Sequence, residues 1–400
     1  MSFAKLRPVG SRVPLPTADT AVLVPPWAGR YDSVFVNSGT AALSLAVKLS
    51  VNVRRTAQSA EVILPAYGCP DLIAAVAAQG ARPVLVDLAE GRPWMNLEAV
   101  ENAVTNNTVG IIAVGFLGIP ERLFALRRIA DKAGITLIED SAQVFPPCSS
   151  DNGLADYLIL SFGRGKPINL MGGGALLIRK DHGPESAGVL AALPEVEVSA
   201  GASWRFKRWL FNLLLTRPLY GVMERIPLLG IGQTVFHPLA SVNRQAPVEG
   251  LLEAGIEGFN NRKDNAAAYS DALQELTGKG WVQIAQECFH EATIEGSVPP
   301  SPNLLRYPLL APSRQIRDKA LLELNRGGIG ASAFYGQALP AIDGVSELVA
   351  VTPSAFPCAC DFAERLITLP AHEDVCIEDI QRVADILLEQ SRNRLNHLTS

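Results

Sequence analysis

The sequence of 400 residues predicts an α/β protein, with a mainly parallel sheet carrying helices on both faces and a smaller C-terminal α+β domain. Three observations carry that prediction. Short β-branched or apolar runs alternate with segments whose apolar residues recur at three- and four-residue spacing. The alternation persists from residue 34 to about 180, as expected of consecutive βα units. The pattern then changes, first to an aromatic, Leu- and Arg-rich stretch over about 181–245 and then to mainly helical sequence. We therefore expect a large domain over 1–245, containing an atypical insert at about 181–245, and a small domain over 246–400.

The strands read in order as "SVFVNS", "EVILPAY", "RPVLVDL", "VGIIAVGF", "ITLIEDS", "YLILSF" and "GALLIRK". Most are near-continuous apolar runs, the signature of strands buried on both faces. Between them lie "TAALSLAVKLSV", "PDLIAAVAAQGA", "NLEAVENAV" and "PERLFALRRIADKAG", each with helical periodicity. After the insert, "VEGLLEAGIEGFNNRKDNAAAYSDALQEL" reads as helical. "LRYPLLA", "QIRDKALLELNRGGIGAS" and "IEDIQRVADILLEQ" supply the small domain.

Composition narrows the function classes. Hydrophobic residues make up 48% and charged residues 19%, a globular balance, and the net charge of -5 gives no electrostatic reason to expect nucleic acid as a partner. The opening "MSFAKLRPVGSRVPLP" lacks the apolar core of a secretory signal. No run of about 18 apolar residues predicts a membrane span. The six cysteines, Cys69, Cys148, Cys288, Cys358, Cys360 and Cys376, have neither disulfide-framework nor zinc-site spacing. The five histidines, His182, His237, His290, His372 and His397, show no metal-ligand spacing, so no metal is expected. A reduced, cytoplasmic compartment follows as the expectation.

The chemistry concentrates at strand ends, where open parallel sheets place their ligands. In "VNSGTAAL", Ser38, Gly39 and Thr40 end a strand and open a helix, where free N–H groups and the helix dipole favour an anion. The ordinary alternative is a plain Ser/Thr cap. In "LIEDSAQ", Asp140 and Gln143 follow a buried strand, and the acid could serve as a cap or as a charge-assisted partner for a ring nitrogen. Ser161 and Lys166 follow "YLIL" on one loop, and "GGGALL" adds flexible backbone beside the lysine. A phosphate P-loop is excluded, since Leu160 and Pro167 stand where that motif needs Gly and Ser/Thr. An anion site, an acid and a lysine on successive loops are what pyridoxal 5'-phosphate demands of a protein.

These segments resemble the DegT/StrS family of sugar aminotransferases, within the fold-type-I pyridoxal phosphate enzymes. The resemblance rests on "NSGTAAL", "IEDSAQ", "ADYLILSFGRGK" and "GGGALL", with later echoes in "NNRKDNAAAY" and "FAERLITLPAH". It implies that Lys166 bonds covalently to the cofactor and is the catalytic residue. It further implies that Asp140 contacts the pyridine nitrogen, Gln143 the ring hydroxyl, and Gly39, Thr40 and Ser161 the phosphate. Lysine at position 166, where some relatives carry histidine, argues for transamination rather than dehydration. The implied protein is a homodimer that moves an amino group from a donor, glutamate by resemblance, to a keto or aldehyde acceptor such as a nucleotide-linked keto sugar. Asn243 in "SVNRQ" is the nearest counterpart of the family's asparagine that reaches the neighbouring subunit, and Tyr67 or Cys69 in "PAYGCP" occupies the ring-stacking place.

Two rival readings stay open: a lyase or decarboxylase using the same constellation, and a non-catalytic cofactor-binding or membrane-surface protein. The last draws on residues 204–236, where Arg205, Lys207, Arg208 and Arg217 interleave with Trp204, Phe206, Trp209 and Phe211. Packing of that insert on a second subunit or over the active site is the preferred reading.

Overall fold

A computed structural model describes residues 4–17, 24–54, 59–226, 232–294 and 303–398. Residues 227–231 of the aromatic insert therefore lie outside the described residues.

Seven strands form the main sheet: β1 (Tyr31–Val36), β2 (Glu61–Pro65), β3 (Arg82–Val86), β4 (Thr108–Val114), β5 (Thr136–Asp140), β6 (Tyr157–Ser161) and β7 (Gly174–Arg179), in the order β1-β7-β6-β5-β4-β2-β3. Strands β6-β5-β4-β2-β3 pair in parallel. β7 runs antiparallel to both β6 and β1. Each sequence-read strand coincides with one of these seven.

Alternate residues feed two cores. Ile112, Ile159 and Leu176 point into one, while Ile111, Leu158 and Leu177 point into the other. Both faces are therefore covered, which is why the strands read as unbroken apolar runs. α1 (Gly39–Arg54) is buried over most of Ala41–Ser50, and its small side chains let it lie close to the sheet and to α2 (Asp71–Ala77). α3 (Leu97–Ala103) is capped by Asn96, whose side chain accepts from Ala99 N. α4 (Leu123–Ala133) turns Leu123, Leu126, Ile129 and Ala130 inward and stops at Gly134, in the left-handed conformation that suits glycine after a helix.

Beyond β7 come α5 (Gly183–Ala191), α6 (Ala202–Leu214), α7 (Arg217–Met223) and α8 (Leu251–Asn260). Leu251, Leu252, Ile256 and Phe259 of α8 pack into the main sheet's second core. A second, antiparallel sheet orders β10 (Leu366–Pro370), β9 (Arg306–Leu310) and β8 (Val282–Gln283). α8 thus packs with the first sheet, although it lies beyond the 245/246 division expected from the sequence.

The first residues tie these parts together. Lys5 N donates to Arg217 O and Leu6 N to Gly328 O, and buried Arg7 ion-pairs with Glu373 and Asp374. A β-carbon on Gly330 would lie 2.2 Å from Leu6 O, so glycine is what admits this strap.

Candidate active site

The parallel strands end on one rim, and the antiparallel β7 begins there. That rim opens into a cleft lined by Gly39, Thr40, Leu43, Cys69, Asp71, Leu72, Val114, Gly115, Asp140, Ala142, Gln143, Ser161 and Lys166. All six residues singled out from the sequence lie in it.

Its anion-favouring end is the start of α1. Ser38 Oγ accepts from Ala41 N at 3.0 Å, an N-cap, while the first N–H groups of the 16-residue helix have no acceptor within the helix. A β-carbon on Gly39 would fall 2.7 Å from Ser161 Cβ and 2.9 Å from Ser161 Oγ. Glycine therefore lets the serine at the end of β6 stand directly against the helix start. A β-carbon on Gly174 would lie 2.5 Å from Ser38 C and 2.6 Å from Gly39 N. The glycine triplet thus serves packing: Gly172 and Gly173 take φ of 139° and 87°, and Gly174 carries β7 beneath the helix start. Thr40 Oγ1 donates to Asp71 Oδ2 at 3.0 Å, which brings into the cleft an acid that sequence reasoning missed.

At the middle of the rim, Asp140 is 9% exposed and its Oδ1 accepts from Ala142 N at 3.0 Å. Burial raises its pKa above the ordinary carboxylate value, opposed by the Ala142 N–H and by the positive charge of Lys166. A cationic partner at this carboxylate would offset part of the cost of burying it. Gln143 Oε1 accepts from Leu117 N at 3.1 Å and its Nε2 donates to Tyr335 Oη at 2.8 Å, so both ends of the amide are fixed. Tyr335 was not legible in the sequence, because it comes from the second half of the chain.

Lys166 sits on a tight turn, with its N–H donating to Gly163 O and Gly165 at φ 73°. The N-terminal strap holds that loop from behind. A β-carbon on Gly165 would lie 3.1 Å from Val9 Cγ1, and Asn169 Nδ2 donates to Ser11 O at 2.9 Å.

Other sequence candidates fall elsewhere. Tyr67 is 4% exposed and packs among Phe116, Tyr335 and Phe362, whereas Cys69 lines the cleft. Burial pushes the Cys69 thiol up to about 12, so it is neutral at ordinary pH. Asn243 is joined to the end of β1, its N–H donating to Asn37 Oδ1 at 3.0 Å. Asp156 is a structural hub, paired with Arg127 at 2.9 Å, Arg179 at 3.0 Å and His182 at 3.3 Å. Burial alone would raise its pKa, but hydrogen bonds from His182, Leu137 N and Arg127 hold it at about 2. Among the described residues no cluster of His, Cys, Asp and Glu could hold a metal, and no helix is long and apolar enough to cross a membrane.

A lysine, a buried acid and an anion-favouring helix start share one rim of a mostly parallel sheet in an α/β protein. The model of the DegT/DnrJ/EryC1/StrS aminotransferase family matches residues 26–199 and 252–388, and the chain belongs to that family. It is 33% identical over 159 residues to the dTDP-3-amino-3,4,6-trideoxy-alpha-D-glucose transaminase of Streptomyces venezuelae. That match spans 39% of this chain and 40% of the length of the relative. Among solved structures, the fold is similar to S. venezuelae DesV in complex with a ketimine intermediate, with TM-score 0.64, 21% identity, and 93% and 91% of the two chains covered. It is also similar to NtdA of Bacillus subtilis with bound cofactor PMP, with TM-score 0.64, 17% identity, and 91% and 74% covered.

Proposed function

We propose that this protein is a pyridoxal-phosphate-dependent aminotransferase acting on a nucleotide-linked keto sugar, with glutamate as amino donor. The observation that carries the reading is the shared rim of Lys166, Asp140 and the α1 start, all lining one cleft. The residues fit the cofactor: the missing β-carbon of Gly39 leaves Ser161 Oγ beside the helix start, and the buried carboxylate of Asp140 calls for a positive partner. Its phosphate would be held by the N–H groups of Gly39 and Thr40 and by the Ser161 hydroxyl. Asp140 would hold the protonated pyridine nitrogen, and Gln143, braced by Leu117 N and Tyr335, would stand by the ring hydroxyl. When bound, the cofactor supplies an electron sink that eases loss of a proton from the donor's α-carbon.

Within that frame Lys166 would have two tasks: its Nζ would hold the cofactor, and its amine would take the α-proton of the donor as base and return it as acid. The Gly165 turn and the Val9–Ser11 strap hold the loop that carries Lys166. The sugar-nucleotide acceptor is supported by family membership and by the activity named for the Streptomyces relative. Homodimeric assembly belongs to the same reading, since Lys166 is the one basic side chain lining the described cleft and a second copy would bring further groups to it. The test is an absorbance spectrum of the purified protein loaded with pyridoxal phosphate, before and after L-glutamate. Conversion of the visible band to that of the amino form of the cofactor supports the reading, and an unchanged spectrum with glutamate and other amino donors refutes it.

A further inference from the structure

Helix α6 has two apolar stripes, and among the described residues only one has a partner. Trp204, Phe211 and Leu215 turn inward, where Trp204 and Phe211 pack on the main sheet's second core. On the same side Arg208 Nε donates to Pro14 O at 2.9 Å, and Asn212 exchanges two 2.9 Å hydrogen bonds with the Val13 backbone. That face anchors the helix to the strap that braces the Lys166 loop.

The opposite face carries Phe206, Trp209, Leu210 and Leu213, exposed by 60%, 54%, 38% and 37%. Their spacing of three, one and three residues puts them on one continuous stripe. The rings of Phe206 and Trp209 lie side by side, centroids 5.8 Å apart. Four large apolar side chains on a three-turn helix facing solvent are not what core packing requires.

Charge identifies the occupant. At 100° per residue, Arg205 falls on one edge of the stripe and Lys207 on the other, between the outward and inward faces. The helix, "ASWRFKRWLFNLL", contains no Asp or Glu, in a chain whose net charge is -5. A second copy docked with its two-fold axis through this patch would set the patch against itself, cation facing cation with no carboxylate on the helix to answer them. An anionic lipid surface answers both features: the stripe enters the interface and the two long basic side chains reach back to the headgroups. We propose that the outer face of α6 docks the protein on anionic membrane surfaces, laying the helix parallel to the bilayer. Arg217, which the sequence grouped with these cations, is bound to Asp379 at 2.6 Å and takes no part.

The experiment is vesicle co-sedimentation of the full chain with phosphatidylcholine alone and with phosphatidylcholine containing phosphatidylglycerol. Pelleting is expected only with the anionic vesicles, and it weakens as salt is raised. Arg205→Gln with Lys207→Gln lowers the partition coefficient about five-fold per cation removed, and Phe206→Ser with Trp209→Ser abolishes pelleting. Because these side chains are exposed and outside the cleft, both double variants retain the activity of the parent in solution. Protein that stays in the supernatant at low salt with anionic vesicles overturns the proposal. It is equally overturned if Phe206→Ser with Trp209→Ser reduces the mass of the particle in solution, which would make the stripe a subunit interface.

Discussion

Gly39 and Ser161 meet at the anion-favouring end of the cleft so closely that a β-carbon on the glycine would lie 2.7 Å from the serine's own β-carbon. One residue begins α1 and the other ends β6. Their contact is what sets a hydroxyl beside the free N–H groups of the helix.

Gly39→Ala should therefore push Ser161 or the helix start away, costing about 1–3 kcal/mol of stability and, on the proposed reading, weakening cofactor affinity at least about ten-fold. Adding Ser161→Gly removes the obstructing side chain and should restore most of the stability while leaving the affinity low. Denaturant midpoints and cofactor titrations of the two variants check this. Equal stability of Gly39→Ala and the parent would show that the close contact does not constrain the fold.

The seven strands were legible because parallel strands covered on both faces must be apolar throughout, as in "EVILP", where all five residues are buried. The same geometry explains why Gly39, Asp140, Gln143, Ser161 and Lys166 can be read together: once strands run parallel, residues after their ends share a rim. Asp71 and Tyr335 were not legible as cleft or bracing residues, since their positions depend on α2 and on the second half of the chain folding back; of the two ring-stacking candidates, only Cys69 lines the cleft. The glycine triplet was read as freedom near a ligand, whereas Gly174 is required by the backbone of Ser38 and Gly39. In α6, helical spacing alone could not tell which stripe faces inward, because both obey the same period.

The two acids in the cleft should respond in opposite directions. Asp140→Asn removes the charge that would hold a protonated ring nitrogen, and turnover should fall by at least about a hundred-fold, on the order of 3 kcal/mol in the barrier. Asp71→Asn removes a negative charge that hydrogen-bonds Thr40 at 3.0 Å. It should tighten binding of pyridoxal phosphate by about three- to ten-fold, since like charges at this range repel by about 1 kcal/mol or more. Steady-state rates and fluorescence titration measure the two effects, and a looser Asp71→Asn complex would remove that residue from the phosphate's surroundings.

A pH effect on stability should arise far from the cleft. His372 is buried, with Nε2 donating to Arg7 O at 2.9 Å and Nδ1 accepting from Asp374 N at 3.3 Å. Burial, with the charge of Arg7, lowers its pKa to about 3. Between about pH 6.5 and pH 3 the unfolded chain binds a proton that the folded chain refuses, so stability drops as pH falls through that window. The stability difference between the parent and His372→Gln should shrink by about 1.4 kcal/mol from pH 7.5 to pH 5.5. Urea midpoints at the two pH values decide it, and parallel pH curves would mean that His372 is not held neutral.

The role of Lys166 is open to a direct chemical readout. Protein loaded with pyridoxal phosphate is treated with borohydride, which reduces a carbon–nitrogen double bond to a stable amine, then digested and mapped by mass spectrometry. The account predicts the added mass on the peptide containing Lys166. It predicts none at that site in Lys166→Ala, which keeps its fold and its affinity for inorganic phosphate because the α1 start and Ser161 are unchanged, while losing at least about a thousand-fold in turnover, on the order of 4 kcal/mol. Label on another lysine with Lys166 unmodified, or normal turnover in Lys166→Ala, would contradict it.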